Sequence, residues 1–291
     1  MPSKIKYSEE KCLAQMHNWL KRNETQIEGL QFEVCCISGN QNVEKEFLQE
    51  KCLFSYRKDS FLKNVFESCN HEDIRKYIEE NVIPACENQI DKNVRNGDFG
   101  EIVVALISQY LYKQEPFKKM RFKLNHKKSA FGTDVLSFDD IKNPSRITFY
   151  ESKVRVNLLA KENLKKGDGE LQYVSVVAYK SLSNDFLSTN QPMLDYMAQR
   201  FDEVDENLSK KYIQLARKYR EMDTRYEIFL FTDVDLPLPD YSAIWESLNS
   251  TNIDLKPLKL TFVFIENLHT LIEDVWNGCA QRAVDLYGGR E

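Results

Sequence analysis

The hydrophobic pattern in the first third of the chain alternates between helical and strand-like spacing. Apolar residues recur every three or four positions over residues 12–20 and 71–83, which predicts two amphipathic helices, the second ending before Pro84. Residues 30–37 are mostly apolar and β-branched, as in a strand. We therefore expect an N-terminal α+β region over residues 1–93.

The middle of the chain is punctuated by turns. Residues 96–98 (Asn-Gly-Asp) predict a turn, followed by a mostly apolar helix over residues 99–112 of the kind that packs against a sheet. Residues 142–145 (Lys-Asn-Pro-Ser) predict a second turn. This turn separates the last two of three strand-like runs, which we expect to pair as a hairpin-like unit. The three runs are residues 121–124, 132–138 and 146–156.

The last third of the chain contains two clear strands, residues 226–234 and 258–265, and a helix over residues 267–283 follows the second. A charged amphipathic helix is predicted over residues 201–222. Residues 171–182 favour a helix, although three valines leave a strand open. The order α-β-β-β-α-β-β-α predicts an α/β fold with a mixed sheet flanked by helices.

Composition narrows the class of protein. The 291 residues carry 40 Lys and Arg against 45 Asp and Glu, a net charge of −5, which argues against a simple basic nucleic-acid binder. The longest apolar run is about half of the ~20 residues that a membrane span requires, and the N-terminus lacks the apolar centre of a signal peptide. Seven cysteines without a CxxC pair and four scattered histidines indicate neither a zinc site nor a disulfide framework. We expect a cytoplasmic protein without a membrane segment.

Candidate chemistry concentrates on the predicted hairpin. Residues two apart project from the same face of a strand, so Glu151 and Lys153 should point together. Asp134 lies near the start of the preceding strand and can approach Glu151 across the ladder. Two converging carboxylates repel each other unless a cation lies between them, and an all-oxygen pair suits Mg²⁺, with Mn²⁺ as a substitute. Such a site, with a lysine to stabilise charge on a phosphate, suits metal-assisted hydrolysis of a phosphodiester. Glu101, on the preceding helix, is a candidate third carboxylate.

Each of these candidate residues also fits a purely structural role. The acid-x-Lys pattern occurs four times in the chain, and only Glu151 and Lys153 lie on a long apolar strand, where they also fit an edge-strand salt bridge. Asp98 and Glu101 have the spacing of a capping box, in which Asp98 caps the helix. Asp134 fits a simple turn residue after a glycine.

Positive charge is concentrated in one segment of the chain, although the net charge of the whole chain is negative. Residues 118–166 hold 13 Lys and Arg against 5 Asp and Glu, a local net charge of +8. Because this positive segment also carries the candidate site, we predict that it lines a path for DNA. The predicted nucleic-acid contacts are Lys118, Lys119, Arg121, Lys123, Lys127, Lys128 and Arg155.

Three short motifs in this region resemble the PD-(D/E)xK nuclease superfamily. They are Asn-Gly-Asp-Phe-Gly-Glu ending at Glu101, Phe-Gly-Thr-Asp ending at Asp134, and Tyr-Glu-Ser-Lys ending at Lys153. The proline of the superfamily's name is absent, because Thr133 precedes Asp134. More narrowly, the three blocks and their layout resemble the HamA family, the nuclease subunits of the Hachiman anti-phage defence system.

The resemblance implies a metal-dependent deoxyribonuclease partnered with a superfamily 2 helicase, HamB. It implies a restriction-endonuclease-like αβββαβ core within residues 94–291, with residues 1–93 as an extension that we predict docks the partner. Asp134 and Glu151 would be metal ligands and Glu101 an auxiliary ligand. Lys153 would orient water and stabilise charge.

Two other functions remain open at the level of sequence. The chain could be a non-catalytic DNA-binding or assembly subunit that keeps a nuclease fold as a scaffold. It could also be an RNase of the same fold, since carboxylate and lysine chemistry does not choose between sugars.

Overall fold

A computed structural model describes most of the chain. The described residues are 6–25, 27, 30–40, 42–117, 119–122, 133–155, 161–163, 171–188, 190–202, 205–233, 240–252 and 254–288. Within these ranges the chain forms a mixed α/β fold, with ten α-helices, one seven-stranded sheet and a separate two-stranded ribbon. None of the helices in this part of the chain is both long and apolar enough to cross a membrane.

The main sheet has parallel strands at its centre and antiparallel strands at both edges. Its spatial order is β1-β2-β9-β8-β5-β4-β3, and the pairs β2–β9, β9–β8 and β8–β5 are parallel. The central strands are nearly continuous apolar runs, as expected for strands covered on both faces. The bounds are β1 Leu20–Thr25, β2 Glu33–Gly39, β3 Glu115–Pro116, β4 Val135–Phe138, β5 Arg146–Val154, β6 Lys161–Asn163, β7 Leu171–Tyr173, β8 Asp223–Thr232 and β9 Leu258–Ile265. The ribbon consists of β6 and β7.

Helices cover both faces of this sheet. The bounds are α1 Glu9–Trp19, α2 Lys45–Tyr56, α3 Asp59–Val65, α4 His71–Asn81, α5 Gln89–Leu106, α6 Val174–Ser188, α7 Asn190–Asp202, α8 Glu206–Lys218, α9 Tyr241–Asn249 and α10 Leu268–Tyr287. One core lies under α1 to α5 and α10, and the other under α6 to α9. Strand β5 contributes to both cores, because its successive side chains point to opposite faces of the sheet: Tyr150 packs into the first core and Phe149 into the second.

The predicted hairpin of β4 and β5 is confirmed. The two strands pair antiparallel, with Val135 opposite Tyr150. The turn between them is held by Asp139, whose Oδ1 accepts hydrogen bonds from the backbone N–H groups of Ser145 at 2.9 Å and Arg146 at 3.0 Å. This hairpin lies beside β8 through the parallel β5–β8 pairing, so β5 is a central strand.

The predicted turn at residues 96–98 is wrong, and so is the capping role of Asp98. Helix α5 begins seven residues before the predicted turn, at Gln89, and its N-cap is Asn88, whose side chain accepts hydrogen bonds from the backbone N–H groups of Ile90 and Asp91. Asp98 is therefore in the helix interior, where it is buried and accepts a hydrogen bond from the Tyr56 hydroxyl. Tertiary packing of this buried pair outweighs the local preference of Asn-Gly-Asp for a turn.

The first of the three predicted middle strands is also misplaced. Residues 119–122 form a 3₁₀ turn, and the strand that pairs with β4 is β3, Glu115–Pro116. Arg121 fixes this turn through hydrogen bonds from its guanidinium group to the carbonyl of Phe54 in α2, at 3.3 and 3.2 Å. A contact with a helix so distant in sequence leaves no local signal.

Helical predictions elsewhere hold with shifted bounds. The ambiguous segment 171–182 contains strand β7 followed by helix α6. The helix predicted over residues 201–222 divides into the end of α7, then α8, which starts after its N-cap Asp205, and a short 3₁₀ turn. The last helix, α10, runs four residues beyond the predicted end.

Residues 1–93 are structurally continuous with the rest of the molecule. Strand β2 pairs in parallel with β9, so β1 and β2 extend the same sheet as the hairpin. Helix α5 runs across the predicted boundary between residues 93 and 94. The role of residues 1–93 in docking a partner stays a prediction.

Candidate functional site

The β4–β5 register places Asp134 beside the end of β5. Asp134 immediately precedes β4, and its Oδ2 accepts hydrogen bonds from the backbone N–H of Ser152 at 2.8 Å and from the Ser152 hydroxyl at 3.1 Å. These bonds fix the Asp134 carboxylate against the segment that carries Glu151 and Lys153. The expectation that Asp134 approaches this strand is confirmed.

Glu151 and Lys153 lie on one face of β5, as the alternation predicted. The Lys153 Nζ lies 2.6 Å from Glu151 Oε1. The Glu151 side chain is 2% exposed, yet its Oε2 accepts no hydrogen bond from the residues that the structure describes. A buried carboxylate oxygen without a donor is costly unless something else binds it.

Burial and neighbouring charge alter the proton affinity of this pair. Burial raises the pKa of Glu151, the negative charge of Asp134 raises it further, and Lys153 opposes both, which leaves it at about 7. Burial alone would lower the pKa of Lys153, but the charges of Glu151 and Asp134 raise it above its usual value. Lys153 is therefore a protonated cation beside two acids.

Glu101 and Lys119 form a second buried pair next to the first. Glu101 is on α5 and 6% exposed, and its Oε2 lies 3.2 Å from the Nζ of Lys119, which is 8% exposed. Burial raises the pKa of Glu101 well above its usual value, and Lys119 opposes this effect. We call these five side chains the carboxylate–lysine cluster: Glu101, Asp134, Glu151, Lys119 and Lys153.

The cluster depends on close packing between α5 and β5. Gly100 is the contact point, because a Cβ atom at this position would lie 2.9 Å from Val154 Cγ2 and 3.3 Å from Ser152 Oγ. Glycine therefore lets the helix approach near enough for Glu101 to join Asp134. The Ser152 hydroxyl that a Cβ would crowd is the one that supports Asp134.

A cleft of about 520 Å³ opens onto the cluster. Glu101, Asp134 and Lys153 reach it, and Ser152 and Arg155 lie beside them. Its other walls come from the start of α5, the end of β8 and the start of α10: Gln89, Asn93, Asn96, Gly97, Asp233, Leu268 and His269. A smaller cavity of about 220 Å³ meets the cluster from the side of α2 and also reaches Glu101, Lys119 and Asp134.

Comparison with known protein families identifies the chain. The family model of HamA matches residues 15–276, which include the whole cluster and both cavities' main walls. The chain belongs to the HamA family. HamA is a subunit of the Hachiman anti-phage defence system. A search of curated proteins found no match.

The donors in this HamA-family chain fit a hard divalent cation at Asp134 and Glu151. Asp134 lies just before β4 and Glu151 lies on the neighbouring strand β5. The charge of Asp134 disfavours the ionised form of Glu151, and Glu151 Oε2 is buried without a donor among the described residues. Among the described residues, however, no three His, Cys, Asp or Glu side chains gather closely enough to form a metal site. The described residues therefore do not form the three-carboxylate site that the prediction of Glu101 as an auxiliary ligand requires.

The predicted nucleic-acid contacts fall into three groups. Arg155 is exposed and lines the cleft, as a contact to DNA would require. Arg121 is half-buried and bonded to Phe54, and Lys119 is interior, so neither side chain is presented on an open surface. Lys118, Lys123, Lys127 and Lys128 lie outside the described residues.

Sequence reasoning missed several residues of this HamA site. Ser152, which holds Asp134, is hidden between Glu151 and Lys153 in a motif where any residue fits. Lys119 was assigned to a DNA surface because it lies in a basic segment, and nothing in that segment indicated its burial. Asp233 and His269 enter the cleft from β8 and α10, which only the assembled sheet brings near.

Proposed function

We propose that this HamA-family chain is a Mg²⁺-dependent deoxyribonuclease of the PD-(D/E)xK superfamily, acting as the effector of a Hachiman complex. The observation that carries the proposal is the convergence of Asp134 with the Glu151–Lys153 pair at the ends of two adjacent strands. Buried carboxylates and a lysine at a cleft supply the groups that phosphodiester hydrolysis requires.

The order of structural elements supports a restriction-endonuclease-like core. Helix α5, strands β3, β4 and β5, helix α6 and strand β8 follow the αβββαβ order. The first three strands form a meander, and β8 joins β5 in parallel. The carboxylates lie where β4 begins and β5 ends, which is the edge that the cleft exposes.

The roles of the residues follow from their contacts. Asp134 and Glu151 would hold Mg²⁺ or Mn²⁺, which supplies an activated water and offsets negative charge on the phosphate. Ser152 keeps the Asp134 carboxylate in place through two hydrogen bonds. Lys153, protonated at neutral pH, orients water and stabilises the charge that develops on the phosphate.

A helicase partner is part of the same proposal. The chain carries a net charge of −5, and residues 118–166 carry +8, so phosphate attraction is confined to the segment of the site. An acidic remainder weakens independent binding to DNA, which favours delivery by a partner such as the superfamily 2 helicase HamB. Residues 1–93 are our candidate for the docking region.

The direct test is cleavage of plasmid DNA by the full chain with Mg²⁺, alone and with HamB. Wild-type protein should cut, whereas Glu151→Ala and Lys153→Ala should not. Cleavage that persists in both variants would contradict the proposed nuclease site. DNA and RNA offered in one reaction distinguish a deoxyribonuclease from an RNase, because the preferred polymer is consumed first.

A scaffold that keeps the nuclease fold without catalysis is the second candidate. It is favoured by the two lysine–carboxylate pairs, which already neutralise much of the cluster's charge. A scaffold should bind no divalent ion at the cluster, and Mg²⁺ would then leave its melting temperature unchanged.

A further inference from the structure

Lys119 is held by the kinds of oxygen that usually bind a hard cation. Its Nζ donates a hydrogen bond to the backbone carbonyl of Thr133 at 2.7 Å and lies 3.2 Å from Glu101 Oε2. A carboxylate oxygen and a backbone carbonyl oxygen are typical ligands of divalent ions in proteins. In this structure the ammonium group of Lys119 lies where such an ion would bind, and Thr133 is the residue immediately before Asp134.

The position of Lys119 differs from that of an ordinary surface lysine. The side chain is buried and lines the smaller cavity, whereas Glu101 and Asp134 line both the smaller cavity and the cleft. Its charge acts on all three acids of the cluster: Glu101, Asp134 and Glu151 each favour its protonated form. A buried ammonium group requires such compensation.

Charge balance indicates how many further ions the cluster accepts. With every group in its ionised form, the three carboxylates and two ammonium groups together carry −1. One divalent ion brings the cluster to +1, which a phosphate group then neutralises. A second divalent ion would bring it to +3 and would have to share Glu101 with the ammonium of Lys119, which electrostatic repulsion disfavours.

We propose that Lys119 is a positioning residue that serves as a built-in cation, occupying the oxygens of Glu101 and Thr133 and limiting the site to one divalent ion. This inference rests on the proposed metal-dependent function. It assigns Glu101 to Lys119 rather than to the metal, and it leaves Asp134 and Glu151 as the ligands of the single ion. The role of Lys119 is then inside the site and not on a DNA-binding surface.

The test is a count of bound Mn²⁺ per chain by electron paramagnetic resonance on the full-length protein stripped of metal. Wild type should bind one ion. A count of two would overturn the inference and leave the proposed function standing, whereas a count of zero would overturn both.

Methionine variants of the two lysines provide the comparison. Lys119→Met removes the built-in cation, and the count should rise to two because the oxygens of Glu101 and Thr133 that Lys119 occupied are then free to bind an ion. Lys153→Met is the matched control, since it removes a lysine of the same cluster but not from those oxygens, and its count should stay at one. An unchanged count in Lys119→Met would contradict the inference. If the methionine variant does not fold without metal, Lys119→Gln replaces it. This neutral side chain keeps a donor for the Thr133 carbonyl but removes the charge beside Glu101, so the count should again rise to two, and an unchanged count would contradict the inference.

Discussion

Two carboxylate–cation pairs in this protein have equally buried carboxylates but differ in how many hydrogen bonds and ion pairs those carboxylates accept. Glu50, 1% exposed, pairs with Arg282 at 2.6 Å through Oε2, and its Oε1 accepts the backbone N–H of Tyr7 at 3.1 Å. Glu151 pairs with Lys153 through Oε1, but its Oε2 has no donor among the described residues. Both oxygens of Glu50 are therefore occupied, whereas one oxygen of Glu151 is available.

The position of each pair in the fold explains the difference. Glu50 and Arg282 connect α2 to α10 inside the first core, where a polar group must be fully bonded to be tolerated. Glu151 and Lys153 lie at the carboxyl end of β5, beside a cleft. Such strand ends are the usual place for ligand sites in α/β folds. The same pairing of charges is structural in one place and a candidate site in the other.

The largest expected effect separates the pairs by stability. Arg282→Met leaves the Glu50 carboxylate buried without its cation, so the free energy of unfolding should fall by about 3–5 kcal/mol. Urea denaturation measures this loss. The double variant Glu50→Leu with Arg282→Met should recover most of it, because no buried charge is left behind. A loss below about 1 kcal/mol in the single variant would contradict a structural role.

The second effect should appear in catalysis instead. Lys153→Met removes the cation that we propose stabilises charge on the phosphate, so the cleavage rate should fall by about 10²- to 10³-fold. A plasmid assay under single-turnover conditions measures it. Far-ultraviolet circular dichroism should show unchanged secondary structure. A rate within about 3-fold of wild type would mean that Lys153 is no more catalytic than Arg282.

A substitution at the helix–strand contact asks whether the site depends on precise packing. Gly100→Ala places a Cβ 2.9 Å from Val154 Cγ2, and the resulting shift of α5 should cost about 1–3 kcal/mol of stability. Gly97→Ala, three residues earlier on the same helix, meets no atom within 4 Å. It should stabilise the protein by up to about 1 kcal/mol, through helix propensity alone. Equal effects of the two alanines in thermal unfolding would argue against a close α5–β5 contact.

The amino-acid sequence predicted those features of the site that depend on a local pattern of residues. Alternation along β5 placed Glu151 and Lys153 on one face, and the turn at residues 142–145 predicted the hairpin that brings Asp134 near. The pairing of β2 with β9 joins segments more than 200 residues apart and leaves no periodic signal. Lys119 could not be assigned either, because its burial depends on a 3₁₀ turn fixed by a contact with α2.

The smallest expected effect concerns the hairpin turn and its dependence on pH. Burial raises the pKa of Asp139, but hydrogen bonds from the Ser145 hydroxyl and from the backbone of Ser145, Arg146 and Asp140 outweigh it and lower the pKa to about 2. The ionised group therefore stabilises the fold above its unfolded pKa near 3.8, and this contribution is lost as the pH falls towards 2. Asp139→Asn should melt slightly lower than wild type at pH 7, and the difference should shrink over that window. A difference independent of pH would contradict the role of its charge.

The central claim is that the cluster at Asp134 and Glu151 binds a divalent cation, whereas the saturated pair at Glu50 does not. The most direct measurement is the change in melting temperature that saturating Mg²⁺ produces in wild type, Glu151→Gln and Glu50→Gln. We predict a rise of several degrees in wild type, from about 2.7 kcal/mol of binding at 100-fold excess over Kd, the same rise in Glu50→Gln, and none in Glu151→Gln. An equal rise in wild type and Glu151→Gln would contradict the account.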